Sequence, residues 1–540
     1  MRGQRTKRLV LSLSIIMLLT ILSACSGGNS GEGSNKGNNK GNNKGANVSA
    51  EEPGADNSDT ETAAGNQDVE ELTLFINHSW YPIKEWKGSV ADKITEKTGV
   101  KLKVTVATDD KQLPLMIASG DLPDLIFTAS DIDRLSNSNI SHPWNELVEK
   151  YAPNFEIDPT RIAINTMEDG NFYTIRNAFA TEQEWETNKY ALGNDGNPGI
   201  AVREDIMNEL GNPELKTLDD FVKLLGMVKE KHPELVPLVM DKNWIESYFM
   251  TQFGIEAGFG SWYEKEGKAE YYLKHPKMLE FFKFMNSLYR NGYILAENFA
   301  HANDQIDDEY AVSGKAFAHS HTVSIAERDN ISTKQNGAAY TFKMIPSALS
   351  EEAVRVNTGV GWSGTFITKN NKNPEKSIKL LQFLASDEGK KLTMFGIEGE
   401  HWTWNEEGYP NLKYNTADSD FVNSNGIKWW FLYSDAIVEG LWGYVPGTQT
   451  TQALLETKAI TTYKPEVGMI QVKADSEEKT IKTKIDEMVT NEKVKIYLAK
   501  SEEEAVRSYE TMMKTAEKIG LQKLDAWANK TFEEKQSLFK

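Results

Sequence analysis

The sequence predicts an α/β fold, on three observations. Residues 72–127 alternate strand and helix signals, later helices carry explicit start and stop residues, and 540 residues exceed one ordinary core. Residues 72–76 form a short apolar run, and residues 89–97 have helical character and stop at Gly99. Val100, Leu102, Val104 and Val106 then alternate with Lys101, Lys103 and Thr105, the period of a strand with one wet face. A helix over residues 113–118 stops at Gly120, and residues 125–127 make a third strand. This βαβαβ order implies a parallel sheet with its ligand crevice at the carboxyl ends of the strands. Farther on, Thr217 with Asp220 caps a helix running to about residue 231. Residues 276–290 form another, stopping at Asn291-Gly292, and Asn373-Pro374 opens one that ends near Gly389.

The amino terminus carries different information. Arg2, Arg5, Lys7 and Arg8 precede an apolar stretch over residues 9–22, too short to span a bilayer as a mature helix, and the run ends in Leu22-Ser23-Ala24-Cys25. Residues 1–24 read as a secretory signal peptide. Cys25 is the only cysteine, so the body folds without disulfides or thiolate metal sites. Residues 25–69 shift to Gly, Asn, Ser, Lys and acidic residues with almost no large apolar side chain, the composition of a flexible tether with a reach of about 35 Å. The net charge of −19 argues against nucleic acid and against electrostatic adhesion to anionic lipid.

Several segments then carry a family resemblance. Leu22-Ser23-Ala24-Cys25 is similar to the bacterial lipobox, in which the cysteine becomes the lipidated amino terminus. Ser119-Gly120-Asp121-Leu122-Pro123-Asp124-Leu125-Ile126 and Gly170-Asn171-Phe172-Tyr173-Thr174-Ile175 resemble segments of the extracellular solute-binding proteins that feed ABC importers of sugars. Val202-Arg203-Glu204-Asp205, Leu210-Gly211 and Lys216-Thr217-Leu218-Asp219-Asp220-Phe221 continue the match. So do Gly314-Lys315-Ala316-Phe317-Ala318, Asn373-Pro374-Glu375-Lys376-Ser377 and Ser386-Asp387-Glu388-Gly389. Gly396-Ile397-Glu398-Gly399 with Trp402-Thr403-Trp404 resembles a segment of the larger lipoprotein branch, which includes oligosaccharide receptors. The resemblance implies a two-lobed, periplasmic-binding-protein-like clamp with hinge crossovers. Residues 70–175 plus 365–405 would form lobe 1, and 176–364 plus 406–540 lobe 2. It further implies a carbohydrate ligand, ABC importer permease subunits as partners, and a monomer held by its lipid on the extracytoplasmic face of a Gram-positive-like cell membrane. Some members carry a calcium loop after the Thr217-like cap; here His232-Pro233-Glu234 runs straight through. Asn194-Asp195-Gly196-Asn197-Pro198-Gly199 lacks the spaced carboxylates and closing Glu of such a loop and reads as a turn.

A pyranose offers a flat apolar face and a rim of hydroxyls, so its site needs aromatic platforms with fixed donors and acceptors. Thirteen tryptophans supply candidates. The site is expected among Trp80, Tyr81, Trp244, Trp262, Trp362, Trp402, Trp404 and Trp442, from a wider set that includes Tyr248, Tyr263, Trp429, Trp430 and Tyr444. Polar partners are sought in Asp124, in Asp109 and Asp110 after the second strand, and in Arg203, which could instead pair with Asp205 or Glu204. His319 and His321 share a strand face, a possible metal arrangement, but no third ligand is recognisable. They read as a cleft-facing polar pair, His301 is equally unsupported, and neither metal nor cofactor is expected. The chain has no Gly-x-Ser-x-Gly elbow, phosphate loop or His-Glu-x-x-His. A binding protein is therefore expected rather than an enzyme. The alternatives are a peptide- or signal-binding lipoprotein and an anchored glycoside hydrolase, for which 79 acidic residues supply candidate carboxylates.

Overall fold

The computed structural model describes residues 69–536, apart from 110, 193–195, 242–243, 245, 257–259, 301–305 and 474. The expected signal peptide, Cys25, the tether, Asp110, Asn194, Asp195 and His301 lie outside the described residues. Strands follow in the order β1 (Glu70–Ile76), β2 (Val100–Val106), β3 (Leu125–Thr128), β4 (Pro198–Arg203), β5 (Val236–Met240), β6 (Trp262–Lys265) and β7 (Lys268–Tyr271). They continue as β8 (Ala316–Thr322), β9 (Phe342–Met344), β10 (Arg355–Asn357), β11 (Gly364–Ile367), β12 (Trp402–Trp404), β13 (Pro410–Leu412) and β14 (Thr461–Tyr463). Pro198 and Gly199, expected in a turn, begin β4.

The first sheet has the order β11-β3-β1-β2, with β1 parallel to β2 and β3, and β11 antiparallel on the edge. Its β2 buries Val100 and Leu102 while Lys101 and Lys103 face water, as the alternation requires. Helix Ser89–Thr98 ends on Gly99 and helix Gln112–Ser119 on Gly120, both left-handed at φ 66° and 75°, a conformation that glycine adopts without Cβ strain. The second sheet, β5-β8-β4-β9, has β5 and β8 parallel and β4 antiparallel to both its neighbours.

Each sheet has its own core. The first collects Leu72, Leu74, Ile76, Leu125, Phe127 and Ile367 with Leu381 and Trp402. The second collects Ile200, Val202, Leu238 and Phe317 with Phe221, Phe281, Ile485 and Phe532. Residues 406–443, assigned to the second lobe on sequence, instead send Val422, Ile427, Trp430, Leu432, Val438 and Leu441 into the first core. Trp430 packs 4.5 Å from Trp86, and this aromatic contact holds the segment on lobe 1. Helices Glu477–Tyr497, Glu502–Ile519 and Leu521–Gln536 belong to the second lobe. Asn286 donates to the carbonyls of Tyr497 at 3.0 Å and Ala499 at 2.8 Å, tying helix Met278–Arg290 to them.

Three crossovers join the lobes, with described residues 176–192, 345–363 and 444–460. Strand β10 from one pairs in parallel with β14, which follows another. Arg161 donates to the Arg176 carbonyl at 2.7 Å and the Ser434 carbonyl at 2.5 Å. Lys458 donates to Trp185, Asn188 and Ala191 carbonyls at 3.0, 2.8 and 3.0 Å, so the crossovers are fastened to one another.

The helix expected from Asn373 to Gly389 is two helices, Pro374–Ala385 and Asp387–Phe395. Ser386 takes an extended conformation between them and its side chain caps the second by accepting from the Gly389 amide at 3.1 Å. A Cβ at Gly389 would stand 1.9 Å from the Phe383 carbonyl oxygen. Gly389→Ala is therefore expected to lower stability by about 1 to 3 kcal/mol, because backbone must move, as denaturant unfolding would record.

Candidate functional site

The site lies at the carboxyl ends of β1 and β3. Residues 77–81 follow β1, and Ser130 and Asp131 follow β3. Because β11 is antiparallel, with Gly364 opposite Thr128, residues 362 and 363 arrive at the same sheet edge. The topology thus assembles an aromatic patch from three separate stretches. His78 stands 5.1 Å from Trp80 and 5.2 Å from Trp362, ring centre to ring centre. Trp80 lies 6.3 Å from both Trp362 and Trp429. Trp80 is 51% exposed, whereas Trp362 and Trp429 are half-buried and back it. The buried indole N–H groups of Trp362 and Trp429 have no acceptor among the described residues.

Fixed polar groups border the patch. Asn77 donates to Thr128 Oγ1 at 3.1 Å and Ser130 Oγ at 2.9 Å. His78 Nε2 lies 3.1 Å from Ser363 Oγ, and burial lowers its pKa to about 4, so the ring is neutral at physiological pH. Such a surface offers stacking faces and neutral hydrogen-bonding groups.

Of the residues expected at the site, Trp80 and Trp362 meet in this patch. Tyr81 is adjacent but buried, its ring packed edge-on against Trp429 at 5.4 Å. Asp124 is at the opposite edge, the amino end of β3. It accepts from the Thr73 amide at 2.8 Å and hydroxyl at 2.6 Å and so staples β3 to β1. Trp262 is buried against Tyr271, and Trp442 lies beneath the Lys428 ammonium at 4.2 Å. Trp402 is 1% exposed and donates from Nε1 to the Gly396 carbonyl at 2.9 Å, a packing role. Trp404 is 40% exposed, but its neighbours are Trp402 and Lys391. Tyr248 donates to the Pro346 carbonyl at 2.5 Å and Tyr263 to Glu270 at 2.5 Å, so both are occupied in packing. Arg203 pairs with Asp205 at 2.6 Å and covers the Tyr340 ring, one of the two outcomes its sequence context allowed.

The second lobe presents Asp241, Trp244 and His321 at the carboxyl ends of β5 and β8. Trp244 is half-buried and donates its amide to the Asp241 carbonyl at 3.2 Å. His319 does not face a cleft: it is fully buried, its two ring nitrogens each 2.8 Å from a carboxylate, Asp307 and Asp329. Burial alone would lower its pKa, but the two carboxylates outweigh this and raise it to about 10. Asp241, Asp307 and His321 offer ligand atoms within 4.8 Å of one another. However, His321 Nδ1 accepts from the Thr322 amide at 2.8 Å, which leaves the ring proton on Nε2, toward Asp241. That corner therefore sets one N–H donor beside two carboxylate acceptors.

Missed in the sequence were Asn77, His78 and Ser130. The signal was available for His78, two residues before Trp80 at a strand end. For Asn77 and Ser130 no pattern marks the pairing across two strands.

Two lobes joined by crossovers, with an aromatic surface at strand ends, define a two-lobed ligand-binding clamp. The chain belongs to the family of bacterial extracellular solute-binding proteins, whose family model matches residues 80–391. Such proteins serve ABC transporters from the extracytoplasmic side, and no described helix is long and apolar enough to cross a membrane. The structure is similar to that of the alginate-binding protein AlgQ2 without calcium ion, at TM-score 0.68 and 17% identity over 88% of this chain and 99% of that one. It is also similar to FusA, an ABC-transporter substrate-binding protein of S. pneumoniae in complex with kestose (TM-score 0.65, 17% identity, 87% and 100% covered). A third likeness is to the N-glycan transport solute-binding protein NgtS of Streptococcus pneumoniae with Man5GlcNAc (TM-score 0.56, 17% identity, 86% and 98% covered). No curated protein matches the sequence.

Proposed function

We propose that this protein is a lipid-anchored receptor that captures an oligosaccharide and delivers it intact to an ABC importer, acting as a monomer and without catalysis. The observation that carries the reading is the exposed Trp80 face backed by Trp362, Trp429 and neutral His78 at the strand ends. An aromatic face covers the C–H face of a pyranose, and the Asn77–Ser130 edge supplies partners for its hydroxyls. The solved relatives support the class: one binds alginate, one is in complex with kestose and one is an N-glycan transport protein. Closure about the three crossovers would let a permease distinguish loaded from empty protein. Cys25 would carry the lipid.

A thermal-shift screen of the full-length protein against kestose, Man5GlcNAc and short peptides, with the ligands recovered for mass spectrometry, tests this. A saccharide at 100 times its Kd should add about 2.7 kcal/mol to the native state and be recovered intact. Recovery of a shortened saccharide would make the chain a hydrolase, and a response to peptides alone would overturn the carbohydrate reading. Trp80→Ala should weaken saccharide binding by about 1 to 2 kcal/mol, roughly 5- to 30-fold in Kd, by calorimetric titration. Because its ring is half in water, Tm should hardly move.

A further inference from the structure

We propose that the cavity beside crossover strand β10 is a second binding site, for the carboxylate of an acidic saccharide, with Arg355 as its anchor. The cavity measures about 480 Å³, within the range of small-ligand pockets, and shares no residue with the aromatic patch. Its wall includes Arg355, Trp262, Thr358, Gln471, Lys479 and Lys482.

Arg355 is the unusual member. Its guanidinium makes one hydrogen bond among the described residues, from Nη1 to Thr251 Oγ1 at 3.2 Å, and no ion pair. Desolvation, unopposed by any carboxylate, brings its pKa down to about 10. Elsewhere in the wall the charges are answered: Glu256 is bound by Lys464 through both oxygens at 3.2 Å, and Lys482 by Asp486 at 2.7 Å. Lys479 has no ion pair among the described residues and stands exposed on the rim. In a chain of net charge −19, this wall therefore holds an excess of positive charge.

A desolvated cation without a counter-ion is costly, and an arriving anion relieves that cost. The planar guanidinium matches a carboxylate through two parallel N–H bonds. The remaining wall, Val356, Val467, Ile470 and Val472 with the Thr358 hydroxyl and the Gln471 amide, offers apolar contact and hydrogen bonds that suit a sugar ring carrying that carboxylate better than a bare inorganic anion.

Calorimetric titration of the full-length protein at low salt with trigalacturonate, kestose and sodium sulfate tests the assignment, using wild type, Arg355→Gln, Arg355→Lys and Lys479→Gln. Trigalacturonate should bind wild type, lose at least tenfold in affinity with Arg355→Gln, and fall less with Arg355→Lys, which keeps the charge but not the fork. Lys479→Gln, on the exposed rim and safe for folding, should cost about threefold. Kestose binding should be unchanged by Arg355→Gln. The proposal is overturned if trigalacturonate does not bind, if its affinity ignores both Arg355 and Lys479, or if sulfate binds in an Arg355-dependent way and trigalacturonate does not. Loss of kestose binding in Arg355→Gln would show that the two sites are not separate.

Discussion

His319→Asn should destabilise the native state by about 3 to 5 kcal/mol, the cost of stranding buried charge. The ring is fully buried, and each nitrogen donates to a carboxylate at 2.8 Å, Asp307 on one side and Asp329 on the other. Removing the imidazolium leaves two carboxylates inside the second lobe without their cation. The same arrangement makes stability depend on pH in a definite direction. Burial opposes the charge, but Asp329 and Asp307 prevail and raise the folded-state pKa to about 10, above the ordinary 6.5. The contribution is therefore complete below pH 6.5 and is lost as pH rises toward 10, at up to about 1.4 kcal/mol per pH unit. Urea unfolding of wild type and variant at pH 6, 7.5 and 9 checks both statements: the gap between them should narrow as pH rises.

Trp402→Ala should cost about 3 to 5 kcal/mol of stability while leaving ligand affinity unchanged. Its ring is sealed in the first core, with Phe395 5.3 Å away, and its N–H satisfies the Gly396 carbonyl, which truncation would orphan. Trp80 should behave in the opposite way, although both are tryptophans in similar loop-rich sequence. Denaturant midpoints and binding titrations on the two variants separate the roles.

That contrast shows what was legible in the sequence. Strands β1 to β3 and their helices could be read because periodicity and glycine stops are local: Gly99 and Gly120 end helices in the chain as they do in the fold. The Thr217–Asp220 capping box formed as its spacing required. The break at Ser386 carries a local signal, a capping serine followed by Asp387 and Glu388 in a six-residue gap without apolar side chains, but Gly389 reads equally well as the stop of the preceding helix. Placing residues 406–443 needed a contact more than three hundred residues away in sequence, Trp430 on Trp86. The same limit applies at the site. Trp80 could be suspected from its position after β1, yet its meeting with Trp362 depends on β11 running antiparallel, and with Trp429 on the return of that later segment. Asp124 and Trp402 stand in family-like motifs, yet their polar atoms are taken up by Thr73 and by the Gly396 carbonyl, since motifs mark what the fold needs as readily as what the ligand needs.

The central claim is that a saccharide is held on the Trp80 face and released unchanged. It is tested most directly by calorimetric titration of kestose and Man5GlcNAc into the full-length protein and its Trp80→Ala variant, with mass spectrometry of the recovered sugar. A saccharide that binds wild type, returns intact, and binds Trp80→Ala roughly 5- to 30-fold more weakly at unchanged Tm is the predicted result. Equal affinity in the two proteins, or a shortened sugar, would contradict it.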